Sequence, residues 1–142
     1  MRLCVIDGRG GGLGKRLIEG LRAHQIDQQD VIIGLGLNET AAQVMWKAGA
    51  TFVGVGEQAI QHTVLAADLI LASLNVVLPG SMLGEVTPGI ADAVLRAPGR
   101  KLLLPINRAK VEVMGVESRT LESLILHTLQ RVHTLLHVTA LT

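Results

Sequence analysis

Five glycines stand within seven residues in the run Asp7-Gly8-Arg9-Gly10-Gly11-Gly12-Leu13-Gly14-Lys15, directly after the apolar segment Leu3-Cys4-Val5-Ile6. A strand that ends in such a loop and passes into a helix exposes backbone N–H groups at a helix N-terminus, where they attract an anion. A phosphate-bearing nucleotide is therefore the leading ligand, and Gly8 through Lys15 are its candidate contacts. Asp7 complicates this chemistry. A carboxylate just before the loop repels a phosphate unless it faces away or holds a cation.

Two common phosphate-loop templates fail here. The P-loop needs a glycine, four residues and then Gly-Lys-Ser/Thr. Arg9 sits in place of its first glycine and Arg16 in place of its magnesium-binding hydroxyl. The dinucleotide fingerprint G-x-G-x-x-G, started at Gly8 and Gly10, calls for glycine at Leu13.

The elements that must position this loop follow from periodicity. Buried-strand runs at Arg2–Ile6, Val31–Leu35, Thr51–Val55, Asp68–Leu74 and Lys101–Pro105 alternate with helical patterns near 12–24, 39–48, 57–66, 88–96 and 119–137. Such alternation predicts an α/β fold in three layers, Rossmann-like, with a mostly parallel sheet and right-handed crossovers. Val111–Val116 is a candidate sixth strand, paired with the fifth through a hairpin at Asn107-Arg108-Ala109. Asn38 and Thr87 read as N-caps, the latter followed by Pro88 at the first helical position.

In open α/β sheets, ligands bind beyond the carboxyl ends of the strands, at the topological switch point. Those ends carry Asp7 and the glycine loop, then Gly36 and Asn38, Gly56 and Glu57, Asn75, Gly80, Ser81 and Glu85, and finally Asn107 and Arg108. In the strand order 3-2-1-4-5, the segment Pro79–Thr87 hangs over the glycine loop as a lid. Asn38 and Ser81 then join the cofactor-binding candidates. Glu85, as an acid or base, and Arg108, as an anion partner, are the catalytic candidates. Each also has a plain structural reading, as a helix-terminal charge, a cap or a turn residue. Glu57 opens a predicted helix, where an acid is expected in any case.

Composition narrows the class. The 142 residues are 49% hydrophobic but only 1% aromatic, so one domain with an aliphatic core is expected. A net charge of +1 gives no broad nucleic-acid footprint. A single cysteine, Cys4, rules out an internal disulfide and fits a reducing compartment. The N-terminal apolar run is too short for a signal peptide, and Val64–Leu78 falls short of the ~20 residues that span a bilayer. A soluble, cytoplasmic protein is expected. His133 and His137 share a helix face but lack a third ligand, so no metal site is assigned. The wide stripe Leu121, Leu124, Ile125, Leu129, Val132, Leu135 and Leu136 suits a sheet and a second subunit, and a homodimer is the expected assembly.

Gly8-x-x-x-Gly12-x-Gly14 resembles the glycine pattern of short-chain dehydrogenases/reductases. That resemblance implies NAD or NADP as cofactor, with Gly8 in the tight turn, Gly12 against the pyrophosphate and Gly14 between helix and strand. Arg9, Lys15 or Arg16 would then meet a phosphate. It covers only this first strand–helix unit. The chain has no tyrosine, so the catalytic Tyr–Lys pair of that family is excluded. A longer resemblance is to a family of small bacterial proteins described only as a domain of unknown function. It is carried by VIDGRGGGLGK, Ala48-Gly49-Ala50, Gly56-Glu57 with Ala59-Ile60, the segment from Gly80 to Pro88, and Leu104-Pro105-Ile106-Asn107-Arg108. It implies a Rossmann-like fold and a nucleotide site, and no reaction. Three functions stay open: a nucleotide-binding sensor or accessory module, a small oxidoreductase-like enzyme acting as an oligomer, and a non-catalytic interaction protein.

Overall fold

The computed structural model describes residues 1–24, 30–106 and 111–141. Its elements alternate as the periodicity predicts: β1 (Arg2–Asp7), α1 (Gly12–Ala23), β2 (Val31–Gly36), α2 (Glu39–Ala48), β3 (Phe52–Val55), α3 (Gly56–Thr63), β4 (Leu69–Ser73), α4 (Pro88–Arg96), β5 (Arg100–Leu104) and α5 (Leu121–Leu141). Short 3-10 turns follow α3 at Val64–Ala66 and β4 at Leu74–Val77. The sheet order is β3-β2-β1-β4-β5, and every pairing is parallel.

Both faces of the central strands β1 and β4 are covered, which is why they read as continuous aliphatic runs. Side chains alternate across the pleat. In β1, Leu3 and Val5 join Leu17, Ile18, Leu21 and Met45 of α1 and α2, together with Ile125, Leu129 and Val132 of α5. Cys4 and Ile6 point the other way and join Ile60, Ile90 and Val94 of α3 and α4. The α5 stripe therefore packs within its own chain at Ile125, Leu129 and Val132, while Leu121 and Leu126 stay exposed.

The helix ends confirm the local signals. The Asn38 side chain accepts from Ala41 N at 2.8 Å, and the Thr87 hydroxyl accepts from Ile90 N at 3.1 Å. Gly49 closes α2 in the left-handed conformation at φ 117°.

The sixth strand does not form. Val111–Val116 is exposed and makes a turn, with Val116 N donating to Val113 O at 3.4 Å and Gly115 at φ 85°. A left-handed glycine breaks an extended run. The hairpin residues Asn107, Arg108 and Ala109 lie outside the described residues.

Cys4 is fully buried in β1, and burial pushes its thiol up to about 11, against a smaller lowering by Arg2. The thiolate is the reactive species. The native protein is expected to react with a maleimide at pH 8 at least ~10-fold more slowly than the denatured chain. Time-resolved labelling followed by mass analysis measures this directly.

Gly36 is a packing requirement. A Cβ there would lie 2.5 Å from Asn38 O and 2.6 Å from Ala42 N, both backbone atoms. Gly36→Ala is expected to lower stability by about 2 kcal/mol, within the range for overpacking, as measured by urea unfolding.

Candidate functional site

The sheet opens on one side of β1. On the β2 side the ladder runs to the very end, with Asp7 paired to Gly36, and Leu37 N then donates to Asp7 O at 2.9 Å. On the β4 side the pairing extends only from Leu3↔Leu69 to Val5↔Leu71. Beyond Val5 the two strand ends flank a cleft of about 210 Å³. This is the switch point of the topology, where an α/β sheet offers a crevice.

The glycine loop forms one wall of the cleft, through Gly8, Arg9, Gly10, Gly11, Gly12 and Leu13. Ser73 and Asn75 line it from the end of β4, Ser81 and Met82 from the lid segment, and Ile106 from beyond β5. Gly11 has φ 74° and donates to Gly8 O at 3.0 Å, which closes the turn that starts α1. Among the described residues, the N–H groups of Gly10 and Gly12 have no acceptor. A Cβ built at Gly10 or Gly12 would meet nothing within 4 Å, so both face open space.

Asp7 turns inward. Its carboxylate is 6% exposed and accepts from Gly8 N at 2.8 Å and from Gly14 N at 2.7 Å. Gly14 is the third residue of α1, and Gly11 contributes no side-chain cap. Asp7 thus supplies the N-cap from the end of the neighbouring strand, where a carboxylate also suits the helix dipole. Burial raises its carboxyl above the usual range, while the N–H groups of Gly14, Gly8 and Leu13 pull it down. The carboxylate satisfies the deeper N–H groups and leaves the outer ones at Gly10 and Gly12 to the cleft.

Gly14 permits this arrangement, since a Cβ there would lie 2.7 Å from Met45 Sδ and 3.1 Å from Asp7 Cβ. Lys15 is exposed and lies outside the cleft lining. Arg16 points to α5, 3.9 Å from Glu122.

The lid is anchored at both ends. Gly80 N donates to Val86 O at 2.8 Å, and Gly80, Met82, Leu83 and Gly84 all have φ between 56° and 89°. Two consecutive non-glycine residues in the left-handed region are strained, and Leu83 at their tip is exposed. At the far end the Thr87 hydroxyl donates to Glu57 Oε1, and Gln61 Nε2 donates to Glu57 Oε2 at 3.3 Å. Glu57 therefore ties α3 to the start of α4 and does not line the cleft.

Glu85 ties the lid to the glycine loop. Its Oε1 accepts from Arg9 N at 2.7 Å, and its Oε2 accepts from Asn38 Nδ2 at 2.6 Å. Asn38 Nδ2 also donates to Arg9 O at 3.0 Å. Both oxygens of Glu85 and the whole amide of Asn38 are thus engaged within the chain, and neither residue lines the cleft.

Of the expected contacts, the cleft gathers Gly8 to Leu13 and Ser81. Ser73 is the residue that sequence reasoning passed over. It is 3% exposed, and its hydroxyl has no hydrogen-bond partner among the described residues although it lines the cleft. A buried hydroxyl left unsatisfied is costly, so its place beside the glycine loop points to a ligand atom. The signal in the sequence is one polar residue closing the aliphatic run Leu69-Ile70-Leu71-Ala72. No group of three or more metal-binding side chains occurs among the described residues.

A solved structure with the same architecture is a dodecameric FMN-dependent UbiX-like decarboxylase from Escherichia coli O157:H7. It is 14% identical, with a TM-score of 0.54 covering 96% of this chain and 95% of that one, which establishes a common Rossmann-like fold. No curated protein matches the sequence. No helix among the described residues is long and apolar enough to cross a membrane. Residues 2–137 match the model of one family, and the chain belongs to that family, the domain of unknown function DUF3842.

Proposed function

We propose that the protein binds a phosphate-bearing nucleotide cofactor in the cleft between β1 and β4, with the phosphate against Gly10 and Gly12. The observation that carries this reading is the buried Ser73 hydroxyl, without a partner among the described residues, on the same cleft as the two open N–H groups. Three donors converge there from two strand ends, which suits the oxygens of one phosphate. Ser81 stands on the lid side of the same space.

Two cofactor classes fit this chemistry. The glycine spacing favours NAD or NADP, and the FMN dependence of the structural neighbour favours a flavin mononucleotide. Equilibrium titration with FMN, FAD, NAD, NADP, ATP and coenzyme A tests the proposal. Saturable one-site binding, weakened by Ser73→Ala, supports it. A folded protein that binds none of them overturns it and favours an interaction protein.

A homo-oligomer fits the surface. Edge strand β3 exposes Phe52, Val53 and Val55, and Trp46 of α2 is exposed nearby in the chain. An unprotected apolar edge is a template for pairing with another strand. Sedimentation is expected to give a species larger than the monomer, with Val53→Lys shifting it toward the monomer.

A further inference from the structure

The two cofactor classes differ in one physical respect. A mononucleotide has one phosphate-bearing half, while a dinucleotide needs room on both sides of β1. In the Rossmann arrangement the second half lies toward the end of β2, where a side chain takes the ribose hydroxyls.

Here that side is shut. The β1–β2 ladder is closed to its end, and both amide N–H groups of Asn38, just beyond β2, are spent within the chain. Its Oδ1 accepts from Ala41 N, and its Nδ2 donates to both Arg9 O and Glu85 Oε2. Glu85 crosses from the lid to complete the link through Arg9 N. Packing backs this bar, since a Cβ at Gly8 would lie 2.7 Å from Glu85 Oε1, 2.8 Å from Leu37 Cδ1 and 2.9 Å from Met82 Sδ. The cleft lining contains no residue of β2 or β3.

We infer that Glu85 and Asn38 form a bar across the glycine loop that admits a mononucleotide and shuts out dinucleotides. This rests on the nucleotide reading above and deepens it. Glu85 acts here as a specificity-determining residue, engaged with the loop backbone.

Paired ligands isolate the second half. FMN and FAD share one flavin half, and nicotinamide mononucleotide and NAD share another. In calorimetric titration of the wild-type protein, the mononucleotide of at least one pair is expected to bind at least ~10-fold more tightly than its dinucleotide, about 1.4 kcal/mol. Glu85→Ala removes the bar at a site where the freed donors are reached by solvent. Asn38→Ser independently removes the bridging amide but keeps an oxygen to cap α2. Both variants, shown folded by circular dichroism, should move that ratio toward one. A dinucleotide that binds the wild type as tightly as its mononucleotide overturns the bar and leaves the nucleotide site standing. So does a ratio unchanged in both variants. If no member of either pair binds, the nucleotide reading fails and the bar with it.

Discussion

Gly12→Asp is expected to weaken nucleotide binding by more than a hundredfold while leaving the protein folded. The substitution separates function from stability because of where Gly12 lies. It is the first residue of α1, and a Cβ added there meets nothing within 4 Å. Its backbone is not in the left-handed region, so a side chain brings no strain. An acidic residue in the first turn also suits the helix dipole, so melting temperature should hold or rise slightly. In the cleft the effect is opposite. The new carboxylate would stand beside the open Gly10 and Gly12 N–H groups, where the phosphate is proposed to sit. Like charges brought together at a binding site cost several kcal/mol, and about 3 kcal/mol already exceeds a hundredfold in affinity. Titration of the variant beside the wild type gives the answer. Undiminished binding by Gly12→Asp would remove the phosphate from the glycine loop. Gly12→Ala is the control, since it adds bulk without charge and should cost far less.

Much of this arrangement is legible in the residues themselves. The alternation Leu3/Val5 against Cys4/Ile6 is an ordinary period of two, and both faces being apolar implies a strand covered on both sides. The caps at Asn38 and Thr87 work through neighbours three residues away, so local spacing reveals them. Strand ends then mark the glycine loop and Ser81 as neighbours once the order 3-2-1-4-5 is assumed. What local spacing does not reveal is direction and long-range pairing. Glu85 meets Arg9 across 76 residues and Asn38 across 47, and nothing near Glu85 distinguishes a general acid from a tether. Ser73 reads as one more strand residue until β4 stops pairing with β1 and its hydroxyl is left facing the cleft. Val111–Val116 shows the converse. Its β-branched residues suggest a strand, but a left-handed Gly115 turns the chain instead.

Asp7 carries the second large effect, and its sign is set by the same loop. In sequence it looks like an obstacle to phosphate, yet its carboxylate accepts from Gly8 N and Gly14 N in a site only 6% exposed. Asp7→Ala would leave both donors without a partner, and each buried donor so orphaned costs roughly 1–3 kcal/mol. Relief of the buried charge offsets part of that, so a net loss of about 3 kcal/mol is expected in urea unfolding at pH 7. Asp7→Asn should lose less, because its amide oxygen still accepts one of the two bonds. The pH dependence provides an independent check. Burial raises the Asp7 carboxyl in the folded state above its ordinary value of 3.8. A raised carboxyl contributes stability that is present below that ordinary value and lost as pH rises through the folded one. The wild-type protein should therefore lose stability relative to Asp7→Asn as pH rises from about 3.8 through the folded titration. A difference between the two that stays flat with pH would mean that Asp7 titrates alike in both states. Burial and the loop N–H groups would then cancel in their opposite pulls on the carboxyl. The division between a structural inner turn and a ligand-facing outer turn rests on the Asp7→Ala loss, and an Asp7→Ala variant as stable as the wild type would overturn it.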